Sequence, residues 1–135
     1  MRAIINYFPA FYLLFNGLLY CLLAAFFVVD PLPWFERLNI VLADEVGYTE
    51  LRAMYIGLMA TLGLYFLAAL VFPRLCLPAL CLALLSYALL ACARSLGIFV
   101  DGLSNDLIVQ LWWIEIGSCA LAGLAIVCLH FQKSR

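Results

Sequence analysis

Two opposite charges, Arg94 in LLACARSLGIFVDG and Glu115 in LWWIEIG, stand inside stretches that are otherwise almost wholly apolar. A lone charge at the centre of a membrane helix costs about 2.5 to 3.5 kcal/mol on insertion scales, so such residues normally face a protein interior and a partner. Arg94 lies seven residues before Asp101, about 10 Å along a helix and on the same face, because seven residues nearly complete two turns. Glu115 lies nine residues after Asp106, roughly 13 Å along the next helix. The short connection DGLSND makes these helices an antiparallel hairpin, so Arg94 and Glu115 arrive at similar depth and are the natural pair. Glu50 and Arg52 open the preceding apolar stretch, with Tyr55 one turn deeper. Glu50, Arg52, Tyr55, Arg94, Asp101 and Glu115 are therefore expected to converge in one half of the membrane.

Three kinds of chemistry suit such a cluster. A buried ion pair would fix the register of two helices. A pocket would use the guanidinium forks to hold an acidic headgroup, a carboxylate or a quinone-like carbonyl. A proton pathway is weakened by the lack of a second deep carboxylate to continue a relay. Tyr12, Asn16 and Tyr20, at i, i+4 and i+8, form a polar-tipped stripe that is expected to face the bundle interior. Other chemistry is sparse. His130 is the only histidine, so the serines have no base for a triad, and no group of His, Cys and carboxylate has metal-ligand spacing. The six cysteines lie in apolar runs without a CxxC pair and read as packing residues. No catalytic residue, metal or cofactor is expected.

The elements that must position these residues are membrane helices. The chain of 135 residues is 69% hydrophobic and 11% charged, with a mean hydropathy of +1.15. That is far from the mix of a water-soluble domain. Four apolar stretches, Tyr7 to Val29, Leu51 to Phe72, Cys76 to Val100 and Leu107 to Phe131, reach the roughly 20 residues that cross a bilayer core. They predict an all-α integral membrane protein, one transmembrane domain over residues 1–135 folded as a four-helix bundle. The first stretch reads as a retained helix rather than a signal peptide, because Ala24 and Ala25 are followed by more apolar residues. Without a basic tail or patch, nucleic acid is not an expected partner.

Charge asymmetry sets the expected topology. Arg2, Arg74, Lys133 and Arg135 fall on the side of the termini; Arg37 and Arg52 fall on the other, with seven of the eight acidic residues. The positive-inside rule then places both termini in the cytoplasm. In the first outer connection, WFERLNIVL puts Trp34, Phe35, Leu38, Val41 and Leu42 on one helical face, which predicts a short amphipathic helix lying in the interface. Trp34, Trp112 and Trp113 would mark the same belt. An offset of 60 residues superposes Ile56, Gly57, Ala60, Gly63 and Leu64 on Ile116, Gly117, Ala120, Gly123 and Leu124. Asp30-Pro31-Leu32 and Asp101-Gly102-Leu103 similarly close the first and third stretches. Either two related hairpins or the general recurrence of small residues in membrane helices accounts for this.

With TELRAMYIGLMATLGLYF, LLACARSLGIFVDG and LWWIEIG, the chain resembles a bacterial family of small four-helix membrane proteins classed as a domain of unknown function. The likeness covers nearly the whole chain and extends loosely to DoxX-like proteins and to the scaffold proteins of ergosterol synthesis. The family pattern has an acidic residue and an arginine entering a glycine-rich second helix, an arginine followed by Asp-Gly leaving the third, and a glutamate in the fourth. Glu50, Arg52, Gly57, Gly63, Arg94, Asp101, Gly102 and Glu115 match it. The resemblance implies the four-helix fold and brings no established activity. The reading that results is a non-enzymatic accessory or scaffold protein of the bacterial inner membrane, packed against another membrane protein or itself. The alternative is a binding protein or carrier for an amphipathic ligand held by Arg52, Arg94 and Glu115.

Overall fold

The computed structural model describes residues 2–41, 44–102 and 104–133. The first helix, α1 (Arg2–Val29), contains an apolar span over Tyr7–Val29. A short helix, α2 (Leu32–Arg37), follows in the first connection. The second span, Val46–Val71, is built from α3 (Glu45–Arg52), a π-helical segment (Ala53–Leu58) and α4 (Met59–Val71). A 3₁₀ turn at Pro73–Leu75 leads into α5 (Cys76–Ser95), which ends in a second π segment (Leu96–Val100). The last helix is α6 (Asp106–Lys133). Four helices are thus long and apolar enough to cross a membrane, and the chain is a multi-pass membrane protein.

Local chemistry accounts for the helix limits. Asp44 accepts a hydrogen bond from the Gly47 amide at 2.8 Å, a side-chain cap that starts α3 six residues before the expected Leu51. Asn105 does the same for α6, accepting from the Ile108 amide at 2.8 Å. The second span stops at Phe72 because Pro73 disfavours a helical residue before it. In the first connection the helix is shorter than its pattern predicts. It closes after Arg37, and Asn39 adopts the left-handed conformation (φ 55°) that ends a helix. Val41 is consequently 93% exposed instead of sharing a face with Trp34 and Phe35, and Leu42 lies outside the described residues.

The helices pair as two hairpins, α1 with α4 and α5 with α6, joined chiefly where α1 meets α6. Leu13, Phe66, Leu80, Ala83, Ala122 and Ala125 lie at the centre, all with little or no exposure. The small side chains of Ala83, Ala122 and Ala125 bring helices close, which supplies the dispersion contacts that hydrophobic burial cannot provide between helices in lipid. Large apolar side chains such as Phe11, Leu64 and Leu89 face outward, as suits a hydrocarbon surround. The first and third connections share one end of the bundle with Asp30, Asp44, Asp101 and Asp106; it is called the acidic end below.

Candidate functional site

Arg94 sits one residue before the end of α5, and Glu115 lies nine residues into α6. The hairpin register brings them together: Arg94 Nε donates to Glu115 Oε1 at 2.7 Å. The pair is asymmetric in exposure, the Arg94 side chain keeping 25% of its surface and Glu115 only 7%. Immediately beside it, Trp112 Nε1 donates to Ser95 Oγ at 2.9 Å, while Ser95 Oγ donates to the Ala91 carbonyl at 2.7 Å. Phe99 meets the Trp112 ring edge-on, with centroids 5.5 Å apart. The indole and the ion pair thus stitch α5 to α6 at the same level.

Asp101 does not join them. The π segment Leu96–Val100 intervenes, and its wider turn breaks the rule that seven residues make two turns, so Asp101 leaves the Arg94 face and is exposed. Glu50 is also exposed, and neither acid makes an ion pair among the described residues. Arg52 is drawn elsewhere: its Nη2 donates to the Val28 carbonyl at 3.4 Å, and its guanidinium lies 5.3 Å from the Tyr48 ring centroid. Tyr55 stacks on Phe27 at 4.6 Å and meets Phe35 edge-on at 5.6 Å. Trp34 completes this aromatic group by stacking on Phe26 at 5.7 Å, with the Arg37 guanidinium 5.4 Å from its ring centroid. The polar residues expected to converge are therefore divided between Arg94 with Glu115 and an aromatic patch that anchors α2 to α1 and the π segment.

Deeper in the bundle, Tyr12, Asn16 and Tyr20 are all buried. Asn16 Nδ2 donates to the Tyr12 carbonyl at 2.8 Å, and Tyr87 Oη on α5 donates to Asn16 Oδ1 at 2.5 Å. Tyr12 Oη donates to the Ser118 carbonyl on α6 at 3.0 Å. The Tyr20 ring packs on Phe66 and Tyr87, with centroids 5.9 and 6.2 Å apart. These contacts tie α1 to α5 and α6 through partners that residue type alone does not reveal. Tyr87 carried a usable signal, since it lies two turns from Arg94 on one helix; the Ser118 carbonyl carried none, because any residue could supply it.

Two clefts flank these features. One of about 440 Å³ lies beside α2, lined by Leu32, Phe35, Glu36, Asn39, Ile40 and Val41; one of about 220 Å³ lies between α1 and α6, backed by Tyr12, Asn16 and Ser118. Neither is lined by Arg52, Arg94 or Glu115. Among the described residues no group of His, Cys, Asp and Glu is placed to hold a metal ion, and the six cysteines are free thiols. The repeated glycines are also unequal. A Cβ on Gly63 would lie 2.6 Å from Cys21 Sγ and 3.0 Å from the Gly17 carbonyl, whereas Gly57, Gly117 and Gly123 face open space. This favours general recurrence of small residues over two equivalent hairpins.

No curated protein and no solved structure gives a significant match to the chain. A protein-family comparison does, over residues 9–126, a range that includes most of each of the four spans, the ion pair and the interior polar contacts. By that match the chain belongs to the DUF4345 family, a domain of unknown function.

Proposed function

We propose that this protein is a non-enzymatic accessory or scaffold subunit of the bacterial inner membrane, with both termini in the cytoplasm, acting through its outer faces on another membrane protein or a second copy of itself. The observation that carries this reading is the division of the expected pocket: Arg94 is paired with Glu115 while Arg52 is held at the first connection. A ligand pocket built from Arg52, Arg94 and Glu115 together needs those side chains to face a common space. The interior polar contacts support the same reading, since Tyr12 and Asn16 on α1, Tyr87 on α5 and the Ser118 carbonyl on α6 are linked by hydrogen bonds across three helices and make the bundle a fixed shape to dock against.

The test is extraction of a tagged chain from native membranes in mild detergent, followed by mass spectrometry of the intact complex. A stoichiometric companion or a second copy, lost when Gly117→Leu and Ala120→Leu fill the open face of α6, is the expected result. A monodisperse monomer, with and without those substitutions, would end the accessory reading. Fusing a reporter active only in the cytoplasm to either terminus checks the orientation, and activity at both ends is expected.

A further inference from the structure

The Arg94–Glu115 pair is joined by a single contact, Nε to Oε1, although a guanidinium and a carboxylate can meet through two parallel bonds. Its remaining groups are accordingly unused. Among the described residues, the two Nη nitrogens of Arg94 have no protein partner, and Glu115 Oε2 is buried with none. The residue holding that oxygen is only 6% exposed. Such bare groups are costly at membrane depth, and arginine there characteristically extends toward the interface to find an oxygen partner. The exposed end of this pair is the cationic one, and the anionic end is inside, so the pair is a dipole whose positive pole faces outward.

The position fits an amphiphile. Arg94 lies seven residues before Asp101 at the acidic end, close enough to the end of its helix for a long side chain to reach toward the interface. The π segment Leu96–Val100 begins two residues later and widens the helix just above the fork; such segments recur at functional sites. The exposed Leu90, Leu96 and Phe99 offer acyl chains an apolar wall on the same helix and its continuation.

We propose that the free Nη fork of Arg94 is a binding site for the oxyanion of an amphiphile in the leaflet at the acidic end, a phosphate or a carboxylate accepted by two guanidinium N–H groups. Glu115 holds the fork in place through Nε and leaves the in-plane edge of Nη donors for the oxyanion. Arg52 is not part of this site, because it lies over Tyr48 and bonds to the end of α1. The site stands independently of any accessory role.

Full-length protein in detergent, titrated with dioleoylphosphatidylglycerol, dioleoylphosphatidylethanolamine or oleate and read by native mass spectrometry, tests the proposal. One retained molecule per chain is expected, with affinity falling at least tenfold in the double variant Arg94→Leu, Glu115→Leu and unchanged in Arg52→Leu. Arg94→Lys keeps the charge but occupies its single ammonium on Glu115; a fall of about fivefold, with an unaltered unfolding temperature in the absence of added lipid, separates binding from structural support. Binding of both phospholipids without oleate assigns the oxyanion to a phosphate, and the reverse assigns it to a carboxylate. Equal retention of all three amphiphiles by wild type, Arg94→Lys and the double variant would overturn the site.

Discussion

The two hairpins solve the same problem by opposite means. Helices α1 and α4 meet through absent side chains: Gly17 and Gly63 let the backbones approach until a single added carbon on Gly63 would collide with the Cys21 amide at 2.8 Å. Helices α5 and α6 meet through present ones, the Arg94–Glu115 pair and the Trp112–Ser95 hydrogen bond. The first device is insensitive to charge and intolerant of volume. The second depends on both charges being present, since either one alone in the interior is uncompensated. A membrane protein with little polar surface thus reserves its charged groups for one seam and uses close backbone contact for the other.

That contrast can be broken at several points. The largest effect is expected from Arg94→Leu alone, which strands the Glu115 carboxylate in the interior and should cost about 3–5 kcal/mol of stability, measured by denaturant unfolding in detergent. Adding Glu115→Leu should recover most of that loss; a double variant as unstable as the single one would remove the ion pair from the account of the α5–α6 seam. Gly63→Val comes next, at about 1–3 kcal/mol from overpacking against Cys21, while Gly123→Val, which faces open space, should stay within about 0.5 kcal/mol. Equal costs at the two glycines would mean that close approach is not what α1 and α4 require.

Tyr87→Phe removes the donor to Asn16 Oδ1 between the hairpins, and about 0.6 kcal/mol is expected, the average for hydrogen bonds between membrane helices, whose upper end is about 1.7 kcal/mol. The smallest effect is Arg52→Leu. Its long contact to the Val28 carbonyl and its place over Tyr48 should be worth less than about 1 kcal/mol in the same unfolding assay. A larger loss would show that the first connection, rather than either seam, holds the acidic end together.

Apolar length and composition were enough to read four spans, because a bilayer leaves a helix as the simplest way to satisfy every backbone group in a long apolar segment. The pairing of Arg94 with Glu115 was legible for a related reason. A tight connection fixes the register of an antiparallel hairpin, and two opposite charges at matching depth in adjacent helices have few alternatives. The stripe of Tyr12, Asn16 and Tyr20 was legible from spacing alone, since polar tips at helical intervals have no favourable place among lipid chains.

The wider cluster could not be read correctly in the same way. Counting seven residues from Arg94 to Asp101 assumes a uniform α-helix, and the π segment between them turns Asp101 off that face. Arg52 lies at the expected end of the bundle, yet depth does not decide direction around a helix, and its guanidinium is taken up by the Val28 carbonyl and the Tyr48 ring. The sequence by itself determined which segments are apolar enough to span a membrane, that the last two helices are adjacent and which charges needed partners, because those follow from transfer energies and chain connectivity. Only the tertiary structure decided that Gly63 is filled by a neighbour while Gly123 is open, that Tyr87 completes Asn16, and that Arg94 meets Glu115 through one bond. Those outcomes depend on the rotation of each helix about its own axis, which packing sets and a one-dimensional pattern does not contain.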